Sequence, residues 1–201
     1  MKTLRALAAA ALAGGGILVS APAASAAPPD GFDNLYPTGN YQPRCGKNTF
    51  CLTDNSAVSV FMERSISRNG KSRIREILNR EYQPTDLKIV YERKANHTGS
   101  NETDIVYQKG RVGGGAMAVT WCDDAKSAYM CDQYHVRFNT DTPFLTAICH
   151  ETGHAVGLTH GHEAKPRKRN DDSRLGCMKT PIDFNATRLG AHNRKTIDAH
   201  Y

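Results

Sequence analysis

Apolar and polar positions change period several times along the chain, and each change predicts an element. Residues 57–62 (AVSVFM) carry a short apolar run, which predicts a first strand. Between Lys71 and Tyr82, Ile74, Ile77 and Leu78 recur at helical spacing with charges between them, and Pro84 follows. That is an amphipathic helix with a stop beyond its end. Short strands are predicted at Leu87–Glu92, Asp104–Gln108, Ala116–Trp121 and His135–Asn139, with the flexible Gly113-Gly114-Gly115 before the fourth. Thr142-Pro143 reads as an N-cap followed by proline at the first helical position, opening a helix that runs to Val156. Gly157 ends it, because glycine takes the left-handed C′ conformation without steric cost. Residues 159–180 are irregular and polar, and Thr187–Tyr201 is read as a closing helix carrying Leu189, Ile197 and Tyr201. No internal repeat is seen. The order of elements predicts an α+β domain with a mostly parallel or mixed sheet.

The first 26 residues read differently. Lys2 and Arg5 precede an Ala- and Gly-rich apolar run, and Ala24-Ser25-Ala26 offers a small-x-small cleavage site. This order is that of a secretory signal peptide. The apolar run is shorter than the ~20 residues that span a bilayer, so no stable membrane anchor is expected. The domain layout is then 1–26 signal peptide, 27–52 extended N-terminal segment rich in Pro, Gly and Asn, and 53–201 main folded domain. The formal charge of +6 includes those two basic residues. Such a mild excess aids solubility and does not by itself argue for a nucleic-acid partner. Six cysteines remain after residue 26, namely Cys45, Cys51, Cys122, Cys131, Cys149 and Cys177. An even count in an exported chain points to disulfides, although six cysteines allow ~15 pairings.

The chemistry concentrates at His150-Glu151-Thr152-Gly153-His154-Ala155-Val156-Gly157-Leu158-Thr159-His160. His150 and His154 lie four residues apart on the predicted helix, so their imidazoles share one face, one turn apart. Two such nitrogens can reach one Zn²⁺. Gly157 reverses the chain and returns His160 as a third ligand. Three protein ligands leave a coordination position open, which is the catalytic and not the structural arrangement. Glu151, beside the first ligand, is placed to act on water as general base.

The segment resembles the metzincin signature, H-E-x-x-H-x-x-G-x-x-H. The family also has a methionine turn beneath the zinc, and Leu175-Gly176-Cys177-Met178-Lys179-Thr180-Pro181 is similar to it, with Met178 as the apolar support. Asp104–Tyr107 resembles the strand before the substrate edge in matrixins, and Ala116–Thr120 would be that edge. Residues 189–201 resemble the last helix of small secreted bacterial matrixin-like and snapalysin-like proteases. The likeness covers roughly 53–201. It implies a twisted mixed sheet, an active-site helix, a Met-turn and a C-terminal helix. It also implies one catalytic zinc and hydrolysis of peptide bonds in extracellular proteins or peptides by a monomer. Thr180 stands where an astacin would place a tyrosine two residues after the methionine. Calcium is compatible with the resemblance, but no EF-hand loop or other dense oxygen-ligand motif indicates it. If the Met-turn lies beneath the zinc, Cys149 and Cys177 meet, and the expected pairs become Cys45–Cys51, Cys122–Cys131 and Cys149–Cys177.

Other signals compete with these. His162 lies two residues past His160 and is an alternative third ligand, less favoured by the spacing. Pro43-Arg44-Cys45-Gly46 matches part of a cysteine switch, whereas a local Cys45–Cys51 disulfide is the simpler reading. His97, His135, His192 and His200 have no partner at metal spacing and are expected to serve as hydrogen-bonding or surface groups. Lys165–Arg169 is a basic run offset by Asp171-Asp172 and lacks interleaved aromatics. The function from a different class is a non-catalytic extracellular zinc-binding or polyanion-binding module. It leaves Glu151 without a role.

Overall fold

A computed structural model describes residues 31–201 apart from Asn48 and Ser100. The expected signal peptide and residues 27–30 of the N-terminal segment lie outside the described residues. The chain folds as a mixed α/β structure. The strands among the described residues are short: β1 (Leu52–Thr53), β2 (Ser59–Met62), β3 (Val90–Tyr91), β4 (Ile105–Lys109), β5 (Ala118–Asp124), β6 (Met130–Cys131) and β7 (Gln133–Phe138). The α-helices among the described residues are α1 (Arg68–Ile77), α2 (Leu145–Ala155) and α3 (Gly190–Asp198). Five strands form one sheet in the order β3-β2-β4-β7-β5, in which only β5, at one edge, runs antiparallel. β1 and β6 pair in a separate parallel ribbon that the apolar pattern did not announce. No helix among the described residues is long and apolar enough to cross a membrane.

The sheet supplies the core. Val60, Ile105, Tyr107, Tyr134, Val136 and Phe138 are buried on it, and Ile74, Ile77, Leu78 and Tyr82 close over them with Ile148 of α2. Burying this apolar surface is the main favourable term in folding. Two buried tyrosines tie α2 down from below. Tyr82 donates its hydroxyl to the Cys149 carbonyl at 2.5 Å, and Tyr107 shares a 2.9 Å bond with the Thr152 hydroxyl.

Three element boundaries differ from the sequence reading. Helix α1 begins at Arg68 because Ser67 caps it, accepting from the Gly70 N–H at 3.0 Å, and it continues as a π-turn over Leu78–Tyr82. Helix α2 begins at Leu145, and Thr142 is not its cap. The Thr142 hydroxyl is instead engaged at 2.7 Å with that of Ser67, so a tertiary partner takes the side chain that the local pattern assigned to the helix. Helix α3 begins at Gly190, after Leu189 gives its N–H to Glu81 Oε2 at 3.0 Å. Glu81 is fully buried and also receives Arg80, Arg188 and Arg194, so it anchors α3 to the π-turn.

The N-terminal segment is a strap and not a tail. Asp33 and Lys165 exchange backbone bonds at 2.8 Å each, Tyr36 N–H reaches Gly157 O at 2.9 Å, and Thr159 N–H reaches Asn34 O at 2.7 Å. Its Phe32, Leu35 and Tyr36 are buried in the common core. The irregular segment after α2 is therefore held by backbone pairing with residues far away in sequence. Cys45–Cys51, Cys122–Cys131 and Cys149–Cys177 are bonded, the pairs expected from the sequence.

Candidate metal centre

Helix α2 brings His150 and His154 to one face, as their four-residue spacing requires. It then ends in a Schellman turn. Leu158 N–H bonds Gly153 O at 2.8 Å and Gly157 N–H bonds His154 O at 3.0 Å, with Gly157 at φ +94°. That reversal returns His160. The Nε2 atom of His150 lies 3.0 Å from that of His154 and 3.2 Å from that of His160. The three ligand atoms form one group that can hold a metal ion.

The opposite ring nitrogens face outward onto acceptors. His150 Nδ1 is 2.8 Å from Cys177 O, His154 Nδ1 is 2.8 Å from Leu158 O, and His160 Nδ1 is 3.3 Å from Glu163 Oε2. Carbonyls only accept, so His150 Nδ1 and His154 Nδ1 carry the hydrogen, and their Nε2 atoms turn with that of His160 to the common centre. Burial pushes His150 down to about 4, with the neighbouring His160 adding to the effect. Burial also pulls His154 far below its usual range, helped by His150 and His160. Neutral imidazoles are the ligand form.

Glu163 was not singled out in the sequence. It sits in a charged stretch where any carboxylate looks solvated. Here its Oε2 accepts the His160 N–H at 2.9 Å and faces the same residue's ring. Burial opposes its charge, but these bonds from His160 outweigh burial and hold it below the usual carboxylate range. His162 points elsewhere: it is exposed, and its ring and N–H both meet Asn170 Oδ1 at 2.8 Å. It is absent from the cluster.

Glu151 is buried and lines the same cleft as the three histidines. Burial pushes its carboxyl up to about 7, against the lowering effect of the Thr120 hydroxyl, which donates to Oε2 at 2.6 Å. The cleft measures about 530 Å³. One wall is the stretch Gly115–Thr120 entering the edge strand β5, and the other is Thr180–Ile182 with Phe184. Met178 is fully buried and packs under α2 against Gly153, where a Cβ would come within 3.0 Å of its Cε.

No protein-family model matches the chain, and a search against curated proteins finds no match.

The remaining signals fall into place as structure. Cys45 is bonded to Cys51, so its thiol is not free to block the histidines. Cys149–Cys177 joins α2 to the turn carrying Met178, next to His150, whose Nδ1 it sets against the Cys177 carbonyl. His97 meets Gln133 and His135 meets Gln108 at 2.8 and 2.6 Å, and His192 meets Asn34 at 3.1 Å. None of these belongs to the cluster of His150, His154 and His160.

Proposed function

We propose that this chain is a secreted zinc-dependent endopeptidase of the metzincin type. One observation carries the reading: three imidazoles converge, with the Nε2 atoms of His154 and His160 at 3.0 and 3.2 Å from that of His150, in an open cleft that also holds a buried carboxylate. A tetrahedral zinc with Zn–N of about 2.0–2.1 Å sets its ligand nitrogens about 3.3–3.4 Å apart, so His150, His154 and His160 fit this ion with small adjustment. A donor set of three nitrogens suits zinc better than calcium or magnesium, which take oxygen ligands.

When bound, the zinc polarises the scissile carbonyl and acidifies water. Glu151 takes the proton from the attacking water and delivers it to the leaving amine. Thr120 fixes the carboxylate through its 2.6 Å bond. The outer edge of β5 carries unpaired backbone groups beside the cleft, and an extended peptide can add to it as a further strand. Three disulfides fit export to an oxidising compartment.

The test is casein hydrolysis by the purified protein, with a chelator and with zinc restored. Glu151→Gln is the companion variant. The expected result is chelator-sensitive cleavage, with the Gln variant keeping its metal and losing turnover by several orders of magnitude. Cleavage untouched by chelator and by the substitution would sink the proposal.

A further inference from the structure

The metal cluster has a neighbour that comes from far away in sequence. The Phe50 ring lies face to face on the His154 imidazole, with centroids 3.7 Å apart and planes 6° from parallel. It also meets His160, with centroids 6.0 Å apart and the rings perpendicular. Phe50 also lines the cleft. Its backbone is fixed on both sides. The Phe50 N–H donates to the Tyr41 hydroxyl at 3.0 Å, and the next residue, Cys51, donates its N–H to the Tyr134 hydroxyl at 2.7 Å and accepts from it at 2.9 Å. The Cys45–Cys51 bond closes the small loop that carries the ring.

We infer that Phe50 is a positioning residue for the metal, holding His154 in its ligating orientation and stabilising the metal-bound form of its ring. This rests on the zinc reading above. The physical reason is electrostatic. An aromatic ring has a negative face, and two neutral rings stacked with little offset gain little from each other. An imidazole bearing a cation on Nε2 is electron-poor, and the phenyl face then attracts it as it attracts a cation. The stack is worth more with metal bound than without, so by linkage it raises metal affinity. It also blocks rotation of His154 about its side chain. The Nδ1 bond to Leu158 O fixes the same ring from its far side at 2.8 Å.

The measurement is zinc affinity by chelator competition, which needs no substrate. Position 50 is varied as Phe, 4-fluorophenylalanine, pentafluorophenylalanine and Leu. Fluorination keeps the ring's shape while weakening and then reversing the negative face. The expected result is a stepwise fall in affinity along the fluorinated series, reaching about tenfold or more, with Phe50→Leu at least as weak. Equal affinity across the fluorinated series would overturn the inference, whether or not the Leu variant folds. A wild type that binds no zinc would overturn it together with the proposed function. A wild type that binds zinc but cleaves nothing would end the protease reading alone, and the graded affinity would still decide the role of Phe50.

Discussion

The hydroxyl of Thr120, on the edge strand, donates to Glu151 Oε2 at 2.6 Å across the gap to helix α2. One hydroxyl proton serves one strong bond, and the carboxylate is the better acceptor than the Glu151 carbonyl at 3.0 Å. Thr120→Val keeps shape and removes the donor. We expect it to lower kcat by about 10- to 100-fold with KM nearly unchanged, and Thr120→Ser to restore most of the rate. Steady-state kinetics on one peptide decides this. A Val variant with wild-type kcat would remove Thr120 from the positioning of Glu151.

The third ligand separates two histidines that the sequence left in competition. His160 joins the cluster and His162 is bonded to Asn170. In chelator competition, His160→Ala should lose most metal affinity and His162→Ala should change little. Glu163→Ala should weaken binding by about 10- to 100-fold, because the His160 ring loses the acceptor beside its Nδ1. The opposite ranking of the two histidines would move the ligand.

Gly153 is required by packing. A methyl group there overlaps Met178 Sδ, and Met178 is fully buried. Gly153→Ala should therefore destabilise by about 1–3 kcal/mol through overpacking, despite alanine's better helix propensity. In a Met178→Ala background the clash is gone, and the same change should be neutral or stabilising. A double-mutant cycle by denaturant unfolding measures this coupling. Additive effects would mean that the two side chains do not compete for space.

The centre was legible in the sequence where its geometry is local. A four-residue spacing, a glycine in register with the helix end and a third histidine three residues on need only helix and turn geometry. Cys149–Cys177 was reached only through the resemblance to a methionine turn beneath the centre, which would bring the residues before His150 and Met178 together. Thr120, Phe50 and Glu163 were not legible. Thr120 meets Glu151 only through the register of β5 on β7 and the seating of α2. Phe50 arrives on a disulfide loop about 100 residues from His154, and nothing in residues 45–51 announces a target. The strap over residues 31–41 escaped for a related reason. It binds residues 157–165 largely through its backbone, and backbone pairing leaves no hydrophobic period to read. Thr142 misled because a sound local cap signal lost to Ser67.

The last expectation concerns pH and lies away from the histidine cluster. Asp104 is buried at the start of β4, where Ser59 gives its N–H at 2.7 Å and its hydroxyl at 2.6 Å to Oδ2. Burial pushes its carboxyl up to about 7. The Ser59 bonds pull it down, and the adjacent Asp54 carboxylate pushes it further up. Lys126 Nζ, 2.5 Å from Asp54 Oδ2, is the counter-charge on this group. An unfolded Asp titrates near ~3.9, so between about 4 and 7 the folded chain binds the extra proton. Stability then falls as pH rises through that window and is flat above it, the reverse of a salt-bridged carboxylate. Other groups titrate in the same range, so the readout is a difference. Denaturant unfolding of wild type and Asp104→Asn, measured from pH 4 to 8, should show the variant gaining relative stability as pH rises. The gain should level off above about 7, because Asn keeps the acceptor for Ser59 and has no charge to bury. A constant difference across the range would mean that Asp104 ionises as readily in the fold as in water.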